Sequence, residues 1–349
     1  MLQHASYIHR CIQLARLAEG HVAPNPMVGA VLVHNDRIIG EGYHMMYGQA
    51  HAEVNCIASV SEQDIPLIPH STLYVSLEPC SHFGKTPPCC DLIIQHKIQK
   101  VVVGCMDPFV QVSGRGIAAL RAAGIEVITD VLKEECLALN QRFITFQTLH
   151  RPYIVLKWAQ SANGRMARAD RARFAISNDL TRRLVHQWRS QEAAILVGTN
   201  TAFFDDPELT NRFWHGEHPV RLIVDTQLRL PSSLKLFNKE VRTIVFNYIK
   251  HEEEGNLQYY RVTQDVNLVH QLVHALYQLN IQSVLVEGGV RLLQSFIDES
   301  MWDELRLITN ESMVIPDGVA SPTIANARIL SAQQLQNDRI DIYKPIISA

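Results

Sequence analysis

The stretches His51-Ala52-Glu53 and Glu78-Pro79-Cys80-Ser81-His82-Phe83-Gly84-Lys85-Thr86-Pro87-Pro88-Cys89 decide the reading of this chain. One imidazole and two thiolates, from His51, Cys80 and Cys89, can bind Zn²⁺ and leave a fourth position open to water. Glu53, two residues from the histidine, can move that water's protons. Structural zinc sites are normally closed by four protein ligands, so three ligands beside a carboxylate are the open, catalytic kind.

The local pattern places these groups on one rim. His51 opens a predicted helix running through Val54, Ile57 and Ala58, so the first turn can aim both His51 and Glu53 into one pocket. The predicted strand Thr72–Leu77 ends at Glu78-Pro79-Cys80, and the apolar run after Pro87-Pro88 predicts a helix starting near Cys89. Helix starts carry partial positive charge, which favours thiolate over thiol. A lone histidine or cysteine is ordinarily core packing. The ordered set His-x-Glu, Pro-Cys and a later Cys instead matches the signature of zinc deaminases. It departs from that signature in spacing, because eight residues rather than two separate Cys80 from Cys89, and we read them as a loop at the pocket mouth. Cys90 stands as an alternative ligand, although an adjacent helical residue points about 100° away.

Composition bounds the rest. A chain of 349 residues fits two domains of roughly 150–200 residues, each able to bury a core. With 32 basic against 35 acidic side chains there is no global pull toward nucleic acid or an anionic membrane, and a small-molecule substrate is expected. No basic, aromatic-interleaved stripe supports an RNA-binding second domain, which counts against a nucleic-acid-editing deaminase. No apolar run reaches roughly 18 residues and the N-terminus lacks signal-peptide character, so we expect a soluble, cytoplasmic protein with no membrane partner. Seven cysteines, three of them within Cys80–Cys90, suit a metal site plus buried thiols better than a disulfide framework. The sequence leaves a homo-oligomer open.

Before the zinc-ligand stretch, His4–Glu19 carries a helical apolar stripe, and Pro24-Asn25-Pro26 fixes an extended turn before the strands Val28–Val33 and Ile38–Tyr43. Asn25 reads as a turn residue or as a ligand contact. After it, Lys100–Gly104 is a buried strand ending near Asp107-Pro108, where a carboxylate faces the ligand crevice of an open α/β sheet. A helix from Gly114 to Ala123 and a strand Ile125–Val131 follow.

Composition shifts near His150-Arg151-Pro152, and we place the domains at residues 1–147 and 148–349. Beyond it come strand Tyr153–Trp158, helix Asp179–Trp188, strands Ala193–Val197, Val220–Val224 and Arg242–Phe246, helix Val266–Leu279, strand Ser283–Val286 and helix Val290–Ile297. That alternation predicts a largely parallel sheet covered by helices. Val284-Leu285-Val286-Glu287-Gly288-Gly289 runs a buried strand into paired glycines and a helix start, which could hold a phosphate or simply turn the chain.

Pro24-Asn25-Pro26, His51-Ala52-Glu53 and the Glu78–Cys89 stretch together resemble the deaminase half of the bifunctional riboflavin biosynthesis deaminase/reductase family. Lys157, Val197-Gly198-Thr199-Asn200-Thr201, the Asp205–Arg212 segment and Glu287-Gly288-Gly289 resemble its reductase half, so the likeness covers almost the whole chain. It implies an N-terminal cytidine-deaminase-like α/β/α domain and a C-terminal dihydrofolate-reductase-like α/β domain, with Zn²⁺ and NADPH as cofactors. The implied reactions are loss of the 2-amino group of 2,5-diamino-6-ribosylamino-4(3H)-pyrimidinone 5′-phosphate, then reduction of its ribosyl group to ribityl. In the first domain the resemblance implies substrate contacts at Asn25, His82, Lys85 and Asp107, with Glu53 catalytic; Lys85 also reads as a solvated loop charge. In the second it implies substrate near Ser177, Arg189, Leu209, Arg212 and Glu287, with Lys157 catalytic. Cofactor contacts are implied at Ala159, Thr201, Asp205, and Gly289, Val290, Arg291, Leu292, Leu293, Gln294 and Ser295. Four departures stand out: Phe109 replaces an asparagine, Asn163 and Arg165 replace an aspartate and a lysine, and Thr309-Asn310-Glu311-Ser312 replaces a proline-containing turn followed by glycines.

Overall fold

The computed structural model describes all residues except Met1, 84–86, 109–112, 171, 173 and 347–349. Lys85 and Phe109 therefore lie outside the described residues. The chain forms two compact units, Met1–His150 and Arg151–Ala349. Among the described residues no helix is long and apolar enough to cross a membrane.

The first unit runs α1 (Leu2–Arg16), β1 (Gly29–His34), β2 (Arg37–Tyr43), α2 (Ala52–Ala58), β3 (Thr72–Leu77), α3 (Cys89–Gln95), β4 (Lys100–Cys105), α4 (Arg115–Ala122), β5 (Glu126–Ile128), α5 (Lys133–Leu139) and α6 (Gln141–Leu149). Its sheet has the order β2-β1-β3-β4-β5, with β1 antiparallel to β2 and β3, and β3, β4 and β5 parallel. Successive side chains on a strand point to opposite faces. Leu32, Leu73, Val75, Val101 and Val103 accordingly pack with Cys56, Ile93 and Leu120 of α2, α3 and α4. Val31, Val33, Tyr74 and Val102 pack on the other face with Ile8, Cys11 and Ile12 of α1 and Cys136 and Leu139 of α5. The result is a three-layer α/β/α unit. The parallel strands β3 and β4 end at Leu77 and Cys105, just before Glu78 and Met106, on the rim where α2 and α3 begin.

The second unit comprises β6 (Tyr153–Ser161), β7 (Arg165–Arg168), α7 (Asp179–Gln191), β8 (Ala194–Gly198), α8 (Thr199–Asp205), β9 (Val220–Val224), β10 (Thr243–Asn247), β11 (Glu252–Glu254), β12 (Leu257–Arg261), α9 (Leu268–Gln278), β13 (Ser283–Gly288), α10 (Val290–Asp298), β14 (Glu304–Asn310), β15 (Gly318–Ala320), β16 (Ala327–Leu335) and β17 (Asp338–Pro345). Ten strands form a sheet of order β11-β12-β10-β9-β8-β13-β6-β14-β17-β16, parallel from β12 to β14 and antiparallel at both edges. Val284, Leu285 and Val286 of β13 are fully buried, which suits a central strand covered on both faces. Lys157 on β6 and Glu287 on the neighbouring β13 each follow the last pair of the ladder that joins these strands, Leu156 and Val286.

Two departures from the usual pattern find partners in this chain. Asn163 accepts from the Ile315 N–H at 3.1 Å and donates to the Ile315 carbonyl at 2.8 Å, a pair of bonds that an aspartate cannot make. Asn310 is buried at the end of β14, where its amide donates to the Ile176 carbonyl at 2.6 Å and so holds the chain next to Ser177.

Candidate active site

In the first unit, His51 is the N-cap of α2 with an extended backbone (φ −73°, ψ 167°), and Glu53 follows in the first turn. His51 Nδ1 lies 3.6 Å from Cys80 Sγ and 3.3 Å from Cys89 Sγ, and the three donor atoms fall within 4.8 Å of one another. With Zn–S of about 2.3 Å and Zn–N of about 2.0 Å, a tetrahedral ion separates its ligands by about 3.5 Å. The cluster has the size and donor chemistry of three ligands of such an ion. Cys89 starts α3, and its N–H donates to Cys80 Sγ at 3.3 Å. Cys90 turns elsewhere, its thiol donating to the carbonyls of Pro79 (3.4 Å) and Gly116 (3.5 Å).

Electrostatics within the cluster are strongly perturbed. A hydrogen bond from the Cys89 thiol, with help from His51, draws the Cys80 thiol down to about 4, while Cys89 is pushed far up as the proton-keeping partner. The hydrogen bond with Cys80 raises the His51 imidazole above its ordinary value. Glu53 is 3% exposed, and burial, followed by the neighbouring Cys80 charge, pushes its carboxyl up to about 7. A carboxylate poised near neutrality can both accept and return a proton.

Around this cluster, Asn25 donates through Nδ2 to His44 Nε2 at 3.1 Å, and His44 Nδ1 donates to the Ala50 carbonyl at 3.0 Å. The His44 ring stands edge-on to His51 with centroids 5.4 Å apart. Asn25 thus reaches the site through His44, a residue with no assigned role in the sequence reading. His82 is exposed on the loop after Cys80. Asp107 is buried just past β4, and its N–H donates to Glu78. Glu78 is a second residue that the sequence reading used only as a strand end. Carboxylates directly after a strand and facing a helix start were the available signal.

In the second unit, Arg189 at the end of α7 closes its fork on Glu287, with Nε and a terminal nitrogen at 2.8 and 2.7 Å from the two carboxylate oxygens. Its other terminal nitrogen donates to the Thr210 carbonyl at 3.3 Å. Burial opposes the Glu287 charge, but Arg189 and Lys157 outweigh it and bring the carboxyl down to about 2. Burial also lowers the Lys157 ammonium, against the pull of Glu287. Lys157, Arg189 and Glu287 are therefore gathered in one place. Arg212 pairs with Glu208, and its backbone N–H donates to His186 Nδ1 at 2.9 Å. Burial and the charges of Arg189 and Arg212 depress His186 to about 4, so it is a neutral acceptor under the Arg212 loop. No role was assigned to it from sequence. Leu209 is 2% exposed, has a left-handed backbone (φ 51°) and packs in a core cluster.

A second cradle lies at the end of β13. A Cβ on Gly289 would stand 3.1 Å from Thr201 Oγ1 of α8, and one on Gly288 (φ +139°) 3.4 Å from it. The Gly288–Gly289 peptide is cis. Bare backbone beside a hydroxyl, ahead of α10, is a surface that a dinucleotide phosphate can approach closely. Of the predicted run after Gly289, Leu293 is fully buried, Ser295 Oγ donates to the Arg291 carbonyl, and Gln294 bonds Asp298 and the Thr323 N–H. Ala159 lies on β6, Asp205 ends α8, and Ser177 directly precedes the α7 N-cap, Asn178.

Three donors placed to hold an open zinc site, with a glutamate buried beside them on a three-layer α/β/α unit, have the make-up of a zinc-dependent deaminase, here followed by a mainly parallel α/β unit. Residues 1–105 match the cytidine and deoxycytidylate deaminase zinc-binding region, and residues 152–314 match the RibD C-terminal domain. The riboflavin biosynthesis protein RibD of Aquifex aeolicus is 41% identical over 306 residues, covering 86% of this chain and 85% of that protein. The crystal structure of the diaminohydroxyphosphoribosylaminopyrimidine deaminase/5-amino-6-(5-phosphoribosylamino)uracil reductase of Thermotoga maritima is 34% identical with a TM-score of 0.90, covering 99% of both chains. Acinetobacter baumannii RibD, at 31% identity, likewise gives 0.90 over 99% of both. The chain belongs to the RibD family, the bifunctional zinc-binding deaminases and NADPH-using reductases of riboflavin biosynthesis. A match to a reductase domain across the second half disfavours an RNA-binding module.

Proposed function

We propose that residues 1–147 deaminate 2,5-diamino-6-ribosylamino-4(3H)-pyrimidinone 5′-phosphate and that residues 148–349 reduce the ribosyl group of the product to ribityl. The observation that carries this reading is the His51, Cys80 and Cys89 donor cluster with Glu53 buried beside it. Zinc held by those three residues would act as a Lewis acid and make water nucleophilic near neutral pH. Glu53 takes one proton of the attacking water and delivers it to the ring nitrogen, then carries the second, from the new hydroxyl, to the amino group, which leaves as ammonia. Asn25, His82, Lys85 and Asp107 hold the pyrimidine and its phosphate.

In the second unit NADPH, held along Ala159, Thr201, Asp205 and the Gly289–Ser295 segment, supplies the hydride. Lys157 moves the proton at the sugar and is kept in place by Glu287, whose charge is set by Arg189. Ser177, Leu209 and Arg212 complete the substrate wall, Arg212 offering a planar cation suited to a phosphate. The small-molecule substrate and the near-balanced charge support a cytoplasmic enzyme without a nucleic-acid or membrane partner, and leave a homo-oligomer open.

The test is the purified protein with the diaminopyrimidine phosphate and NADPH, read by mass. The product exchanges an amino group for oxygen and then gains a hydride and a proton. Ammonia release without NADPH oxidation would remove the second half of the proposal, and oxidation of NADPH without ammonia release from the diamino compound would remove the first.

A further inference from the structure

We infer that Glu78 is the positioning residue of the deaminase site: a single carboxylate that fixes the segment carrying Asp107 against the turn carrying the zinc ligand Cys80. This inference rests on the deaminase reading above.

Glu78 is 4% exposed, and both of its carboxylate oxygens are used twice. Oε2 accepts from the backbone N–H groups of Asp107 (3.2 Å) and Gly114 (3.0 Å), and Oε1 from those of Gly116 (2.9 Å) and Ile117 (3.2 Å). Its own N–H donates to the Cys105 carbonyl at 3.0 Å, which fixes Glu78 to the end of β4. The Glu78 side chain therefore holds the Asp107 backbone, Gly114 and the first turn of α4 together. A helix start presents unpaired N–H groups and partial positive charge, so a carboxylate is the side chain that satisfies it best.

The two residues after Glu78 are clamped from the other side. Cys90 N–H donates to the Cys80 carbonyl at 3.2 Å, and the Cys90 thiol bridges the carbonyls of Pro79 and Gly116. A Cβ on Gly116 would fall 2.1 Å from the Pro79 carbonyl oxygen, so α4 lies directly on the Glu78-Pro79-Cys80 backbone. The turn carrying Cys80 and the Asp107 backbone thus meet at this carboxylate.

Glutamine at this position has one accepting oxygen, and its NH₂ group would face two N–H donors. Either the Asp107/Gly114 pair or the Gly116/Ile117 pair loses its acceptor. Displacement of a binding wall by about 1 Å can cost on the order of a hundredfold.

The experiment uses the full-length, zinc-loaded protein and compares wild type, Glu78→Gln, Glu78→Asp and Ile93→Val. Ile93 is fully buried in the same unit and is not among the hydrogen-bond partners of Glu78, so its variant reports loss of packing without loss of those bonds. Zinc content, thermal midpoint, NADPH-linked reductase turnover, and KM and kcat for release of ammonia from the diaminopyrimidine phosphate are measured on each. For Glu78→Gln we expect full zinc, unchanged reductase turnover and a KM raised on the order of ten- to a hundredfold, with kcat changed much less. Ile93→Val should lower the midpoint with KM unchanged. Glu78→Asp keeps the charge but shortens the reach, and should raise KM in the same way even where the glutamine variant does not fold. Wild-type KM in the Glu78 variants, loss of zinc, or an equal KM change in Ile93→Val would overturn the inference. Absence of ammonia release by the wild type would instead overturn the deaminase reading.

Discussion

Arg189 and Glu287 form a two-bonded ion pair, at 2.8 and 2.7 Å, with side chains only 12% and 9% exposed. Sequence resemblance implies that both residues lie near the substrate, yet in the folded chain each is first of all the other's partner. The arginine fork that suits a phosphate is spent on a carboxylate, and that carboxylate stands beside Lys157.

Loss of this pair should be visible as acid sensitivity. Glu287 titrates near 2 in the folded protein, against about 4.5 when unfolded. Between those values the unfolded chain binds more protons, so the contribution to stability is full above pH 4.5 and is lost as pH falls toward 2. Its upper size is about 3 kcal/mol. Glu287→Gln should flatten the acid limb of the second unit's stability profile. It should also cost about 3–5 kcal/mol at neutral pH by leaving Arg189 buried without its partner. Denaturant unfolding at several pH values checks this, and an unchanged acid limb would refute it.

Glu53 predicts the opposite slope. Its carboxyl rises to about 7 in the metal-free fold, so the folded state binds more protons than the unfolded one between about 4.5 and 7. Stability of chelator-stripped protein should therefore fall as pH rises through that window, by up to about 3 kcal/mol from this group. Glu53→Gln should remove the fall. The same variant should retain zinc, since Glu53 is not among the three clustered donors, and lose ammonia release by about 10²–10⁴-fold. Zinc loss on this substitution would contradict the assignment.

The two adjacent cysteines should separate cleanly. Cys89 Sγ lies 3.3 Å from His51 Nδ1, whereas the Cys90 thiol is engaged by the Pro79 and Gly116 carbonyls. We expect Cys89→Ser to lose bound zinc and Cys90→Ser to keep it. Metal analysis of the two purified variants decides the matter, and full zinc content in Cys89→Ser would show that Cys89 is not needed.

Legibility from sequence tracked how local the cause was. Strands β3 and β9 coincide with the predicted spans, because Thr72–Leu77 and Val220–Val224 are short apolar runs bounded by polar or turn residues. The zinc cluster was readable because His51, Cys80 and Cys89 announce themselves by type and order. Helices α5 and α6 were not read, being short and mixed in composition, and neither were β14 to β17, whose pairing depends on distant partners. Exposed β16 shows no core-facing alternation at all. His44, Glu78 and His186 were missed for a related reason. Each acts on backbone or side-chain groups brought near only by folding, such as Gly116 N–H for Glu78 and Arg212 N–H for His186.

Asn163 carries the last prediction. It stands where the resembling family carries an aspartate, which suggests that restoring aspartate would improve the second unit. Geometry argues the reverse. Asn163 Oδ1 accepts from Ser161 Oγ (2.7 Å) and from the Ile315 N–H (3.1 Å), bonds that a carboxylate would keep. Asn163 Nδ2 donates to the Ile315 carbonyl at 2.8 Å, and a carboxylate would put an oxygen against that oxygen. The site is partly exposed, which moderates the repulsion, so Asn163→Asp should cost about 1 kcal/mol rather than stabilise. Arg165, whose N–H donates to Ser161 Oγ and whose guanidinium donates to the Gly318 carbonyl, follows the same turn and should lose order with it. Thermal unfolding of Asn163→Asp, read alongside NADPH oxidation, checks both effects. A raised midpoint would mean that the Ile315 contact does not hold this turn.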